Sequence, residues 1–168
     1  MITLEQLLLS RDRRASKQRS LLEQYPSGAL LCLTVQLPGA QKRSELSLEI
    51  ASVAVDAVRA SFEIIHEELS DLDTGYEGYF VVKDVPESAK IKAVTLEESH
   101  PLGRLWDLDV TVPSADGVRP LSRSELGYPE RLCLICGNPA RYCIRARAHT
   151  AEELIGRMKE MVDAYERD

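Results

Sequence analysis

Residues 106–110 read Trp-Asp-Leu-Asp-Val, and this alternation constrains the chain more than any other stretch. Successive side chains on a strand point to opposite faces. Trp106, Leu108 and Val110 therefore share one face, and Asp107 and Asp109 share the other. The apolar face requires a core. Two carboxylates on one face repel each other unless a proton or cation lies between them. Mg²⁺ suits such a pair, since it is commonly held by one or two carboxylates together with substrate phosphates. A turn, His100-Pro101-Leu102-Gly103-Arg104, leads into the strand. Gly103 lets backbone approach a ligand closely, and Arg104 is placed to stabilise phosphate charge. Asp107 and Asp109 are thus candidate Mg²⁺ ligands for phosphate chemistry. Glu97 or Glu98 is a candidate third ligand, and His100 is either a general base or simply a turn residue. The plain alternative is a half-buried strand whose polar face is solvated.

The rest of the chain divides at clear punctuation. Thr3-x-x-Gln6 fits a capping box and predicts a helix from Leu4 to about Tyr25. Ala29 to Leu37 is an apolar run with the look of a buried strand, and Pro38-Gly39 turns the chain. Ser44 can cap a helix over 45–60 with an apolar stripe at Leu46, Ile50, Val53, Ala54, Ala57 and Val58. A hairpin follows, Phe62 to Leu69 and Tyr76 to Val82, turning at Asp73-Thr74-Gly75. Pro86 starts a third helix that reaches Ser99, with Ile91, Val94 and Thr95 on one face. The central strand ends at Val112-Pro113, and Val118 to Leu121 pairs back after Asp116-Gly117. Residues 129–149 read as an irregular loop rich in Cys and Arg. Thr150-x-x-Glu153 caps a last helix to about Tyr165. Helices interspersed with hairpins predict one α+β domain over 1–168, a mixed or antiparallel sheet with flanking helices.

A net charge of −6 argues against bulk nucleic-acid binding, which relies on excess Lys and Arg. The first ten residues lack a basic leading region, and no apolar run is long enough to span a membrane. A cytoplasmic protein is expected, with its four cysteines as thiols or metal ligands. The charge is unevenly spread. Arg11 to Arg19 holds five basic residues against one acid, a candidate docking surface for an acidic partner. Arg119 to His149 holds six Arg, two Glu and no Lys. Arg suits bidentate contacts to phosphate. Cys133-x-x-Cys136, Cys143 and His149 offer three thiolates and an imidazole, enough for a closed structural Zn²⁺ site. The alternative is a set of partly buried thiols packing a loop. A thioredoxin-like redox pair lacks its βαβ surroundings.

Several of these motifs occur together in one family. The run His100 to Val110, Arg123, Arg131-Leu132-Cys133-Leu134-Ile135-Cys136, Cys143, Arg145 and His149 resembles the citrate lyase holo-acyl-carrier-protein synthases. Leu8-Leu9-Ser10-Arg11-Asp12 and Pro38-Gly39 fit as well, so the resemblance spans nearly the whole chain. It implies transfer of a phosphoribosyl-dephospho-CoA group from triphosphoribosyl-dephospho-CoA to a serine of the acyl-carrier (gamma) subunit of citrate lyase, with diphosphate released. Read from the residues themselves, Asp107, Asp109 and Arg104 are the candidate catalytic groups. Gly103, Arg123, Arg131, Arg145, Arg147 and His149 would contact substrate, with the 129–149 loop over the site. The layout is also similar to polymerase-β-type nucleotidyltransferases, in which a Gly-Ser turn precedes an Asp-x-Asp strand. Here the turn is Gly103-Arg104 and the gap to the carboxylates is short. A rival from another class is a non-catalytic, zinc-stabilised module that binds an acidic protein.

Overall fold

A computed structural model of the chain describes residues 1–166. Five strands form one antiparallel sheet in the order β2-β3-β1-β4-β5. They are β1 (Ala29–Val35), β2 (Ile64–Leu72), β3 (Gly75–Val82), β4 (Asp107–Ser114) and β5 (Gly117–Pro120). The helices are α1 (Leu4–Gln24), α2 (Glu45–Ser61), α3 (Pro86–Ser99), α4 (Ala140–Ala146) and α5 (Ala151–Glu166). The class is α+β, and the sheet is antiparallel throughout. Among the described residues no helix is long and apolar enough to cross a membrane.

The period-two alternation of β1 divides the core. Leu31, Leu33 and Val35 join Leu108 and Val110 on one face, under α2 (Ile50, Ala54, Val58) and α5 (Met158, Val162). Leu30 and Cys32 face the other way with Tyr79, Val81 and Leu21 of α1. Each large apolar side chain buried in this way contributes roughly 1.5–3 kcal/mol. Both expected capping boxes form. The Gln6 N–H donates to Thr3 Oγ1 at 3.1 Å, and the Glu153 N–H to Thr150 Oγ1 at 3.1 Å.

The polar middle of α1 has a tertiary reason. Arg14 donates twice to Glu77 Oε1, at 3.2 and 3.0 Å, and Tyr79 Oη donates to Glu77 Oε2 at 2.7 Å. Arg13 also lies 3.6 Å from that carboxylate. Lys17 pairs with Glu68 at 2.6 Å. Much of the basic charge between Arg11 and Arg19 therefore neutralises acids on β2 and β3.

Three local expectations change. First, β4 runs through Pro113 to Ser114. Its ladder with β1 stops at Thr111, so the missing Pro113 N–H loses no bond on that side. Second, α3 exposes Ile91 and buries Ala89, Lys90, Ala93, Val94 and Glu97. This helix lies against β4, where polar groups need partners. Third, the 129–149 segment is not wholly irregular. It holds an isolated bridge, Leu132 to Pro139, and α4. At seven residues α4 is too short to display a hydrophobic period.

Candidate active site and cysteine–histidine centre

Strand β4 presents its two faces as its alternation dictates. Trp106, Leu108 and Val110 are buried, while the Asp107 and Asp109 side chains keep 62% and 54% of their surface exposed. In register, Asp107 lies opposite Thr34 and Asp109 opposite Cys32 on β1. Protein atoms crowding around Asp109 push its carboxyl above the ordinary Asp range. The Lys90 ammonium opposes the shift, and the charge of Asp107 adds to it. Burial pushes the neighbouring Cys32 thiol up to about 11, so it is an inert thiol beside the carboxylates.

The edge of β4 at Leu108 has no strand partner beyond β1, since β5 pairs only from Thr111 onwards. Glu97 takes that place. Its Oε1 accepts the Leu108 N–H at 2.8 Å, and its Oε2 pairs with Arg123. Arg123 also donates to Glu98 Oε1 at 3.1 Å. Both candidate third ligands are thus engaged with Arg123, and Glu97 pins the backbone between the two aspartates. Lys90, seven residues earlier on the same helix face, is buried with its Nζ 3.9 Å from Asp109 Oδ1. Sequence reasoning missed Lys90. Its seven-residue spacing from Glu97 was the available signal, since i and i+7 share a helix face.

Arg131 reaches Asp107 from the cysteine loop. Its Nη2 also donates to the carbonyls of Arg104 (3.1 Å) and Trp106 (3.2 Å). Arg104 answers by donating to the Leu132 carbonyl. Burial and the nearby charges of Arg131 and Arg123 lower the Arg104 pKa, the sign of cationic crowding. Arg104 Nε is buried without a hydrogen-bond partner. An unpaired buried donor on a guanidinium calls for an acceptor.

His100 belongs to the turn. Its Nδ1 accepts the Leu102 N–H at 3.0 Å, and its ring lies between Trp106 and Tyr165, 4.9 and 5.6 Å between centroids. Gly103 is buried against the end of α3. A Cβ there would collide with the Glu97 carbonyl and lie 2.7 Å from Leu96 O. The room Gly103 leaves is therefore taken by backbone. Gly103→Ala is expected to cost about 2 kcal/mol by overpacking. That lowers Tm by roughly 4–8 °C in a chain of this size, readable by thermal denaturation.

Arg145 and Arg147 stand exposed at the end of α4, and neither side chain has a partner among the described residues. Arg147 closes the helix at φ 49°, a left-handed position uncommon for a residue other than glycine. Arg141 pairs with Glu130 at 2.7 Å. The structure thus brings Arg131 to the Asp107 carboxylate and gathers Arg104 and Arg123 near Arg131, but places Arg145 and Arg147 outside these contacts.

Beside Arg131 the loop gathers Cys133, Cys136, Cys143 and His149, whose donor atoms all lie within 4.8 Å of one another. The Cys136 and Cys143 sulfurs are 3.4 Å apart and not joined. The Asn138 backbone N–H, with the His149 ring near it, draws the Cys136 thiol down to about 6. Desolvation and the adjacent sulfurs push Cys143 up. His149 Nε2 is buried and makes no geometrically sound hydrogen bond. Three soft sulfurs and a spare imidazole nitrogen are a donor set that fits a metal ion.

The profile of the family described as apo-citrate lyase phosphoribosyl-dephospho-CoA transferase matches residues 2–165. The chain belongs to this family. A Streptococcus pyogenes serotype M18 protein is 35% identical over 167 residues, 98% of this chain and 87% of the relative. Its name is "Probable apo-citrate lyase phosphoribosyl-dephospho-CoA transferase". An Escherichia coli O1:K1 protein named "Apo-citrate lyase phosphoribosyl-dephospho-CoA transferase" is 34% identical over 167 residues, 96% of this chain and 89% of its own. Membership in the phosphoribosyl-dephospho-CoA transferase family makes the chain a transferase, and the expectation from the Gly103–Val110 run is met at that level.

Proposed function

We propose that this chain transfers the phosphoribosyl-dephospho-CoA group of triphosphoribosyl-dephospho-CoA to a serine of the apo acyl-carrier (gamma) subunit of citrate lyase. The serine oxygen forms a bond to the phosphorus, the bond to the leaving diphosphate breaks, and the hydroxyl proton goes to solvent or a base. This is nucleotidyltransferase-type chemistry. The observation that carries the reading is the pairing of two half-exposed carboxylates with a crowded arginine cluster, in a member of this family.

Asp107 and Asp109 fit Mg²⁺. They offer hard oxygen donors from one strand face, and Asp109 is held above its usual range chiefly by burial, with the charge of Asp107 adding to it. When bound there, Mg²⁺ supplies charge neutralisation and orients phosphate oxygens. The remaining work falls to side chains. Arg104 turns its unpaired Nε to a phosphate oxygen, and Arg131 shares its charge between Asp107 and the departing diphosphate. Arg123 holds Glu97, and so the strand, in place. Arg145 and Arg147 extend the positive field along the loop toward the rest of the precursor. Zn²⁺ is the metal that suits Cys133, Cys136, Cys143 and His149.

Intact-mass analysis tests the proposal. The apo acyl-carrier subunit is incubated with this protein, precursor and Mg²⁺. The expected result is a mass gain equal to the phosphoribosyl-dephospho-CoA group, lost with Asp107→Asn. A gain that persists in the variant removes the site assignment. No gain with both proteins folded removes the activity.

A further inference from the structure

The cysteine–histidine group lies in the part of the chain least able to support itself. Within 129–149 the one buried residue is Cys143, and Ile135, Tyr142 and Ile144 are exposed. A segment with so little core does not offset the entropy of ordering its backbone. Yet this segment delivers Arg131 to the β4 carboxylate, and its own backbone accepts the Arg104 guanidinium.

The covalent path between the two sites is short. Arg131 and Leu132 directly precede Cys133. The Arg131 carbonyl accepts the N–H of Ala140, the first residue of α4, at 2.9 Å, and Cys143 lies on that helix. The Cys133 N–H bonds the Asn138 carbonyl at 2.7 Å, closing the turn that holds Cys136. His149 comes from elsewhere. It adjoins the cap of α5, which is anchored through Met158 and Val162 in the main core. One ion bound to all four donors would fasten the Arg131 turn, through α4, to a helix already fixed.

We propose that Zn²⁺ held by Cys133, Cys136, Cys143 and His149 is the staple that sets Arg131 and Arg104 against the Asp107 strand, so that zinc loading controls the order of that site. Calling the controlled site catalytic rests on the function proposed above; the coupling of loop to strand does not. Binding energy at a closed thiolate–imidazole site is folding energy for the segment that supplies the ligands. The segment ordered here carries Arg131, which pairs with Asp107, and the Leu132 carbonyl that accepts Arg104.

The test uses the full chain, purified without chelator. Elemental analysis should find one zinc per chain. Exchange of zinc for Co²⁺ should give the visible absorption of a tetrahedral thiolate-ligated ion. Zinc is then stripped with a chelator and Mg²⁺ is restored in excess. Hydrogen exchange of backbone amides should rise at least tenfold over 129–149 and also over 103–108. Arg131→Ala should keep its zinc and raise exchange over 103–108 alone. Cys136→Ser should lose zinc; if it fails to fold, the stripped wild-type chain gives the same reading. Absence of zinc, with none taken up from micromolar Zn²⁺, overturns the proposal. So does faster exchange confined to 129–149 after stripping. Because none of these readouts uses the transfer reaction, an inactive but zinc-coupled chain would count against the transferase reading and leave this one standing.

Discussion

Glu97→Ala is expected to destabilise the protein by about 3–5 kcal/mol, the usual cost of stranding one partner of a buried ion pair. For a chain of this size that is a fall in Tm of roughly 10 °C. Glu97 is 4% exposed and does two jobs at once. It neutralises Arg123, itself largely buried, and it accepts the Leu108 N–H on the edge of β4 left open between β1 and the start of β5. Alanine leaves a buried guanidinium and an unpaired amide. Glu97→Gln keeps the acceptor for Leu108 and loses only the charge, so it should retain part of the stability. Thermal denaturation of the two variants separates these roles. Equal losses would mean that the Leu108 bond contributes nothing.

Asp109→Asn is expected to lower transfer activity by about 10²–10³-fold, the scale seen when one preorganised electrostatic group is removed from an active site. It should also cost stability, because Lys90 is 5% exposed and Asp109 is its one ion-pair partner among the described residues. A buried ammonium left without a counter-charge is costly. The second substitution, Lys90→Met, separates the two effects. The double variant should recover the Tm and remain inactive, since methionine packs the same space without charge. The acid side of the wild-type pH profile should carry the same signature. Asp109 has a folded-state pKa raised above the ordinary Asp value, so its ionised form is disfavoured on folding. Its ionised form, and any activity needing the carboxylate, is then lost at higher pH than for a free Asp as pH falls. Recovery of activity in the double variant would exclude Asp109 from the chemistry.

Much of this molecule follows from short-range patterns. The capping boxes at Thr3 and Thr150 form as their spacing requires. The alternation Trp106 to Val110 places apolar groups inward and carboxylates outward, because strand geometry permits nothing else. The spacing of Cys133, Cys136, Cys143 and His149 proves to be a cluster in space. The face of α3 was misread because Ile91 and Thr95 look no different from core or surface in a single helix. Which acids Arg14 and Lys17 meet is not legible locally, since Glu77 and Glu68 lie some fifty or sixty residues away.

The sequence by itself determined which residues alternate, which caps form and which donors stand at metal-binding intervals. These depend on neighbours within a few positions along the chain. Only the tertiary structure decided which charge meets which. Arg131 lies on Asp107, Glu97 on the Leu108 amide and Arg123, and Lys90 beside Asp109. Each of those choices is made by how α3 and the cysteine loop pack on β4. A charged side chain has no local period that names its partner, because Coulomb attraction acts through space and not along the chain.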